Sequence, residues 1–296
     1  MKKSKLAIYH LLFFFVALVL AAAETDYATK IEKWRTDREA NLKKESGWLS
    51  VAGLFWLKEG TNTVGAGETF DIRLTENFKA GKFGQIDFAN GKAVLKVESG
   101  VEAQSNGKSI TGPVDLVSDE KGKPTEIHTG TQTFFLIKRE DRYGIRLKDS
   151  NSEARRNFAG LHWFPINEAY KVIAHLEPGT EDKEVKVPNV LGGSFTMKSP
   201  GRLRFTLEGK EYSLRAVEED DGSLFLIFAD QSNGKETYKP GRFLYADKPV
   251  NGETVLDFNK AENPPCAFTP YATCPLPPPE NKLAAEINAG EKWSGH

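Results

Sequence analysis

Apolar residues recur along this chain at two different spacings, and the change between them divides it into parts. Between Asp26 and Lys44, Ile31, Trp34, Arg38 and Leu42 fall on one side at intervals of three and four, and most other positions are charged. That spacing predicts an amphipathic helix. Asp26 can cap its start, and Ser46-Gly47 ends it. The run Gly47 to Leu57 is bounded by glycine and rich in aromatics. It is too short and too broken for a long helix, so a buried turn followed by a strand is expected.

From Thr61 to Leu147 the period shortens toward two. Runs such as Thr69–Leu74 and Ala93–Val97 are separated by Asn90-Gly91, Asn106-Gly107 and Lys121-Gly122. Asn-Gly between alternating runs signals a hairpin, because both residues accept positive φ. A strand about every ten residues predicts a sandwich or barrel. After Pro178 the same grammar returns in Phe195–Met197, Arg202–Leu207, Glu211–Val217 and Ser223–Phe228, with turns at Glu208-Gly209-Lys210 and Asp220-Asp221-Gly222. Seven of the 15 prolines then fall between Pro264 and Pro279. Proline fixes φ and removes a donor, so this stretch is expected to be an ordered arm without regular structure. Lys282 to Glu291, with Leu283, Ala284 and Ile287 on one side, predicts a short closing helix.

The fold class is therefore mainly β: two packed sandwich-like or barrel-like units, a short N-terminal helix and a proline-rich C-terminal arm. The expected division is 1–23 as a signal peptide, 24–46 as the helix, 47–150 as a first β-sandwich and 151–296 as a second β unit with the arm. The leader is read from Lys2, Lys3 and Lys5, the apolar run Leu11 to Ala23, and the small-residue exit Ala21-Ala22-Ala23. Positive flank, short apolar core and small-residue exit are the marks of an export signal, and the run is short for a membrane span. An exported, periplasmic or secreted protein with no membrane attachment after cleavage is expected. Losing three lysines and no acid takes the formal net charge from −1 to about −4. That balance speaks against a nucleic-acid partner.

The order of cues in Val64-Gly65, Asp71–Leu74 and Asn106–Ile110 resembles the forkhead-associated β-sandwich. The sequence departs from that family where a phosphothreonine would be held: Ala66 follows Gly65, and no histidine stands between the leader's His10 and His128. The resemblance implies the sandwich and not phosphopeptide binding. A second resemblance spans nearly all of the chain after the leader. Gly47–Ser50, Gly53–Leu57, Arg155, Phe158-Ala159-Gly160, Asp230, Thr237-Tyr238, Gly241-Arg242 and Asp257-Phe258-Asn259 carry it, with Asn263–Phe268 and Tyr271–Pro277 the most specific segments. On these the chain resembles the uncharacterised family called domain of unknown function 1684, which implies no activity.

Three groups of residues could carry chemistry. Asp257, Asn259, Asn263 and Cys266 would set a carboxylate, two amides and a thiol on a frame stiffened by Pro264-Pro265. A hydrolase using Asp257, Asn263 and Cys266 is one reading. Side chains satisfying loop backbone is the other. Cys266 and Cys274 are the only cysteines. In an oxidising compartment two cysteines suggest a disulfide, and a nucleophilic Cys266 assisted by His162 or His175 is the alternative. Arg146, Asp149, Arg155 and Arg242 form the third group, because arginine suits carboxylate or phosphate recognition. Ordinary ion pairing is its rival. The histidines have no ligand spacing, so no metal is expected. No P-loop, Rossmann glycine pattern, Gly-x-Ser-x-Gly elbow or His-Glu-x-x-His occurs, and no cofactor is expected. These observations favour a non-catalytic binding module for a small polar or anionic ligand, with the hydrolase and a purely structural or interaction protein as alternatives.

Overall fold

The computed structural model describes residues 26–79, 81–179 and 183–293. The leader expected at 1–23 lies outside the described residues, among which no helix is long and apolar enough to cross a membrane.

The first helix runs over 26–43. It buries Tyr27, Ile31 and Leu42 and keeps Lys30–Asp26 and Lys33–Asp37 as exposed pairs one turn apart. Gly47 ends the turn that follows, because a Cβ there would collide with the Leu42 and Asn41 carbonyl oxygens. The helix docks on the second β unit rather than the first: Arg35 Nη2 donates to Phe164 O at 2.8 Å, and Tyr27 Oη donates to Asp257 Oδ1 at 2.8 Å.

The first unit is a sandwich of two sheets. One holds Ile72–Leu74, Gly60–Ala66, Lys82–Ala89, Lys92–Val97 and Val114–Leu116 in that spatial order. The other holds Val51–Trp56, Arg142–Asp149, Gln132–Arg139, Glu126–Thr129, Gln104–Ser105 and Lys108–Ser109. Alternate residues of both sheets meet in a core containing Val64, Phe83, Ile86, Leu95, Phe134, Leu136, Ile145 and Leu147. Asn90-Gly91 and Asn106-Gly107 take positive φ at both positions, as a two-residue hairpin requires. Lys121-Gly122 differs: the chain there crosses from one sheet to the other, between Val114–Leu116 and Glu126–Thr129.

The second unit is a six-stranded sheet, ordered Arg242–Ala246, Leu224–Phe228, Lys210–Glu218, Gly201–Leu207, Lys171–Pro178 and Glu253–Asp257. Its two outer strands approach each other, so the sheet nearly closes on a core of Leu203, Phe205, Leu214, Leu226, Phe228, Leu244, Leu256 and Phe258. A ribbon of Glu184–Pro188 and Ser194–Lys198 stands off this sheet. Its turn reaches the first unit, where Asn189 Nδ2 donates to Glu140 Oε1 at 3.0 Å.

The proline-rich arm threads between the units. Thr269 Oγ1 donates to Val51 O at 3.2 Å, and Leu276 N–H donates to Pro188 O at 2.7 Å. The helix expected at Lys282 to Glu291 is not formed. The backbone there is spent on the second unit instead: Leu283 N–H donates to Ala229 O, Gln231 N–H to Ala285 O, and Glu291 N–H to Ala261 O. Leu283, Ile287 and Ala289 are buried in the second core, so the apolar pattern served a strap and not a helix face. A third apolar cluster lies at the seam between the units, with Phe225, Ile227, Phe243, Ala272 and Cys274 buried and Trp48, Met197 and Cys266 packed on it.

Candidate ligand-binding cleft

Beside that third cluster the seam opens into a cleft of about 600 Å³, within the range of small-molecule sites. The first unit supplies its cationic wall. In strand Arg142–Asp149, Ile145 and Leu147 point into the sandwich core, so the intervening Arg146 projects from the other face. There it lies over Trp48, with its guanidinium carbon 5.3 Å from the ring centre. Arg146 is only 5% exposed, yet it makes no ion pair among the described residues. Among the described residues its single hydrogen bond runs from Nη2 to Thr273 Oγ1 at 3.3 Å, and Nε has no partner. Burial, aided by the neighbouring Arg139, pushes its pKa down to about 10, despite the opposing effect of Asp119.

The other cations of this wall are neutralised. Arg139 donates from Nη1 and Nη2 to the two oxygens of Asp119 at 3.0 and 2.8 Å, and from Nε to Thr273 Oγ1 at 3.0 Å. Lys138 Nζ meets Glu120 Oε1 at 2.7 Å.

The second unit supplies an aromatic wall. Phe225 stacks on Tyr245 at 4.9 Å and meets Phe243 edge-on at 4.8 Å. Phe195 and Met197 of the ribbon complete it, and Thr273, Cys274 and Pro275 of the arm run along the cleft. Glu262 and Arg38 also line it. Arg38 Nε lies 2.8 Å from Glu291 Oε1 and 3.3 Å from Glu262 Oε2. Burial, reinforced by Glu291 and opposed by Arg38, raises the Glu262 carboxyl to about 7. Burial raises Glu291 as well, against the pull of Arg38 and the Asn263 N–H.

Of the residues singled out from sequence, Arg146 lines this cleft directly and Cys274 joins it from the arm. Asp149 is buried and accepts from Thr75 Oγ1, Asn77 Nδ2 and Asn151 N–H. Burial opposes its ionisation, but these donors prevail and hold its pKa below the usual value. Arg155 donates to the carbonyls of Lys43 and Ser150, tying the helix exit to the linker between the units. Arg242 is fully buried. It pairs with Asp230 Oδ2 at 2.7 Å and donates to Ala289 O and Ile287 O at 2.5 and 2.9 Å, so it fastens the C-terminal strap. Gly241 precedes it because a Cβ there would lie 2.6 Å from Phe228 O.

Asp257 accepts from Tyr27 Oη and from the Asn259 N–H and Nδ2. Asn259 in turn donates to Asn167 O and accepts the Asn167 N–H. Asn263 belongs to a different network, with Nδ2 donating to Lys292 O and its N–H to Glu291 Oε2. Asp257, Asn263 and Cys266 therefore hold separate partners, and none of the three lines the cleft. Cys266 and Cys274 stand together as thiols, the Cys266 N–H donating to Cys274 Sγ at 3.2 Å. Hydrogen bonding from Cys274 makes Cys266 the more acidic of the two.

The residues that sequence reasoning missed are Arg38, Trp48, Glu262 and the Phe225–Phe243–Tyr245 wall. Trp48 carried a signal in its glycine-bounded aromatic segment. Arg38 stood on the apolar side of the predicted helix, but Glu262 carried no signal, and the 224 positions between them hid the pairing.

Fold and cleft together define a two-unit β protein with an amphipathic pocket at the seam. Residues 156–292 match the family model described as "Protein of unknown function (DUF1684)". This is the family that the motifs of the chain resemble, and the match covers slightly less than half of the chain. An uncharacterized protein of Haloarcula marismortui, solved by solution NMR, is 29% identical over 47% of this chain and 78% of its own, with a TM-score of 0.39. No curated protein matches the chain. The family match contains the aromatic wall and Glu262, whereas Arg38, Trp48, Arg139 and Arg146 precede it.

Proposed function

We propose that this protein is a non-catalytic binding module that takes a small anionic ligand with an apolar body into the cleft at the seam, and that it works outside the cytoplasm. One observation carries the binding site: among the described residues Arg146 is a buried guanidinium that makes no ion pair and has an unpartnered Nε. A buried charge without a partner is costly to the fold. An anion entering the cleft supplies the missing partner through charge-assisted hydrogen bonds, and the aromatic wall covers its apolar part. Export rests on the positive flank and short apolar run of the leader.

The test is calorimetric titration of the full mature chain with carboxylates, sulfates and phosphates carrying aliphatic or aromatic bodies. Binding is expected to be lost in Arg146→Met and kept in Arg155→Ala, since Arg155 is occupied by backbone carbonyls. Ligand binding that survives Arg146→Met unchanged refutes the site.

A further inference from the structure

The charges around the cleft are not evenly paired. Along the first wall Lys138 and Arg139 each have a carboxylate of their own, and Arg146 alone has none. At Arg38 the imbalance is reversed, because two carboxylates share one guanidinium. Glu291 holds the closer contact, accepts the Asn263 N–H at 2.7 Å and is fully buried away from the cleft. Glu262 keeps only the 3.3 Å contact to Arg38 Nε among the described residues and faces the cleft. Arg146 and Glu262 both line the cleft, and among the described residues they form no ion pair with each other.

A lone cation in one part of the cleft, a surplus carboxylate in another and aromatic surface beside them match one kind of molecule. We propose that the ligand is amphoteric: an acid group meets Arg146, an ammonium group meets Glu262, and an apolar body lies against Phe225 and Tyr245. Glu262 is then the residue that determines specificity. The inference rests on the cleft being the binding site, and it narrows the ligand class. A dianion such as a phosphate monoester suits the cleft less well, because a single unpaired guanidinium faces it and Glu262 stands in the same space.

The experiment compares 3-phenylpropionate with its 4-aminomethyl derivative, which has the same acid and ring and one added ammonium. In calorimetry on the wild-type chain the added ammonium is expected to tighten binding about tenfold or more, the effect of one charge-assisted hydrogen bond. That gain is expected to vanish in Glu262→Gln. Equal affinities in the wild type, with binding still abolished by Arg146→Met, overturn the amphoteric ligand and leave the anion site standing. Failure of both probes to bind overturns both. A second measurement does not depend on a variant: the Glu262 carboxyl is titrated by carbon-13 NMR with each probe bound. The aminomethyl compound is expected to lower its midpoint and phenylpropionate is not. A midpoint that the ammonium leaves in place refutes the contact.

Discussion

Replacing Arg146 with methionine should make the protein more stable while abolishing its binding of anions. Burial pushes the guanidinium well below its ordinary value, to about 10, and at 1.36 kcal/mol per pH unit the charged form costs the native state roughly 3 kcal/mol. The sign follows from linkage. A base whose pKa is lowered on folding binds fewer protons in the native state, so the penalty is complete at neutral pH and lifts only as pH rises through about 10 toward the ordinary arginine value. Methionine keeps much of the volume over Trp48 and removes the charge. Against that gain stand a cation–π contact, ~0.5–2 kcal/mol, and the long hydrogen bond to Thr273, about 0.5 kcal/mol. The net expectation is a stabilisation of about 1 kcal/mol, read by urea unfolding at pH 7 through tryptophan fluorescence with an unchanged m-value. Arg139→Met is the control. It strips Asp119 of a bidentate partner and should cost about 1–3 kcal/mol. A loss of more than about 1 kcal/mol in Arg146→Met would mean that the guanidinium serves the fold, and the argument for an anion site would fail with it.

Arg242→Ala should destabilise by about 3–5 kcal/mol, because it leaves Asp230 buried and unpaired; a loss below about 1 kcal/mol in chemical denaturation would return Arg242 to the list of ligand-binding candidates. Tyr27→Phe should cost about 1–3 kcal/mol by removing the donor to buried Asp257, and a neutral result would show that the N-terminal helix docks without it. The Glu262 carboxyl, raised on folding to about 7 from 4.5, binds more protons in the native state between those values. Stability due to this group is therefore complete below pH 4.5 and lost as pH rises through 7, by about 3 kcal/mol in all; the wild type minus Glu262→Gln difference should show that slope, and a flat difference contradicts it. Alkylation of the purified protein under denaturing, non-reducing conditions should add no label by intact mass if Cys266 and Cys274 form the disulfide expected from sequence, which would contribute about 2.5 kcal/mol for so short a loop; two labels mean that both stay the free thiols of the structure.

Local patterns revealed the elements, and long-range pairing decided the site. The helix at 26–43, the strand after Gly47 and the Asn-Gly hairpins were legible because helical spacing and positive φ are properties of a few adjacent residues. Lys282 to Glu291 misled because Leu283 and Ile287 recur at a spacing that a helix face and an irregular strap with buried anchors can share. What separates the two is where the backbone donors go, and those go to Ala229 and Ala261. The arginines show the same limit. Arg146, Arg155 and Arg242 look alike in sequence, yet Arg155 faces carbonyls, Arg242 faces Asp230, and only Arg146 is buried without an anion. Their surroundings come from segments distant in the chain, such as Thr273 for Arg146 and Ile287 and Ala289 for Arg242.

The seam also explains why the lone charge can persist. An arginine within either core would have to be paired or replaced by an apolar residue, since nothing else offsets its desolvation. Arg146 sits instead where the first sandwich ends and a wall of the second unit begins, beside an opening large enough for a ligand. Thr273 of the arm accepts from both Arg139 and Arg146. Asp119 fixes Arg139, so Thr273 sits between one arginine that is already neutralised and one that is not. The Asn189–Glu140 contact holds the ribbon with Phe195 and Met197 over the same opening. The cationic part of the cleft thus comes from one unit, its apolar cover from the other, and their alignment from the arm and the ribbon. Affinity in such a site depends on how the two units are held together as much as on the side chains that line it. Substitutions at Thr269 or Asn189, which touch no ligand in this arrangement, should therefore weaken binding by loosening the seam.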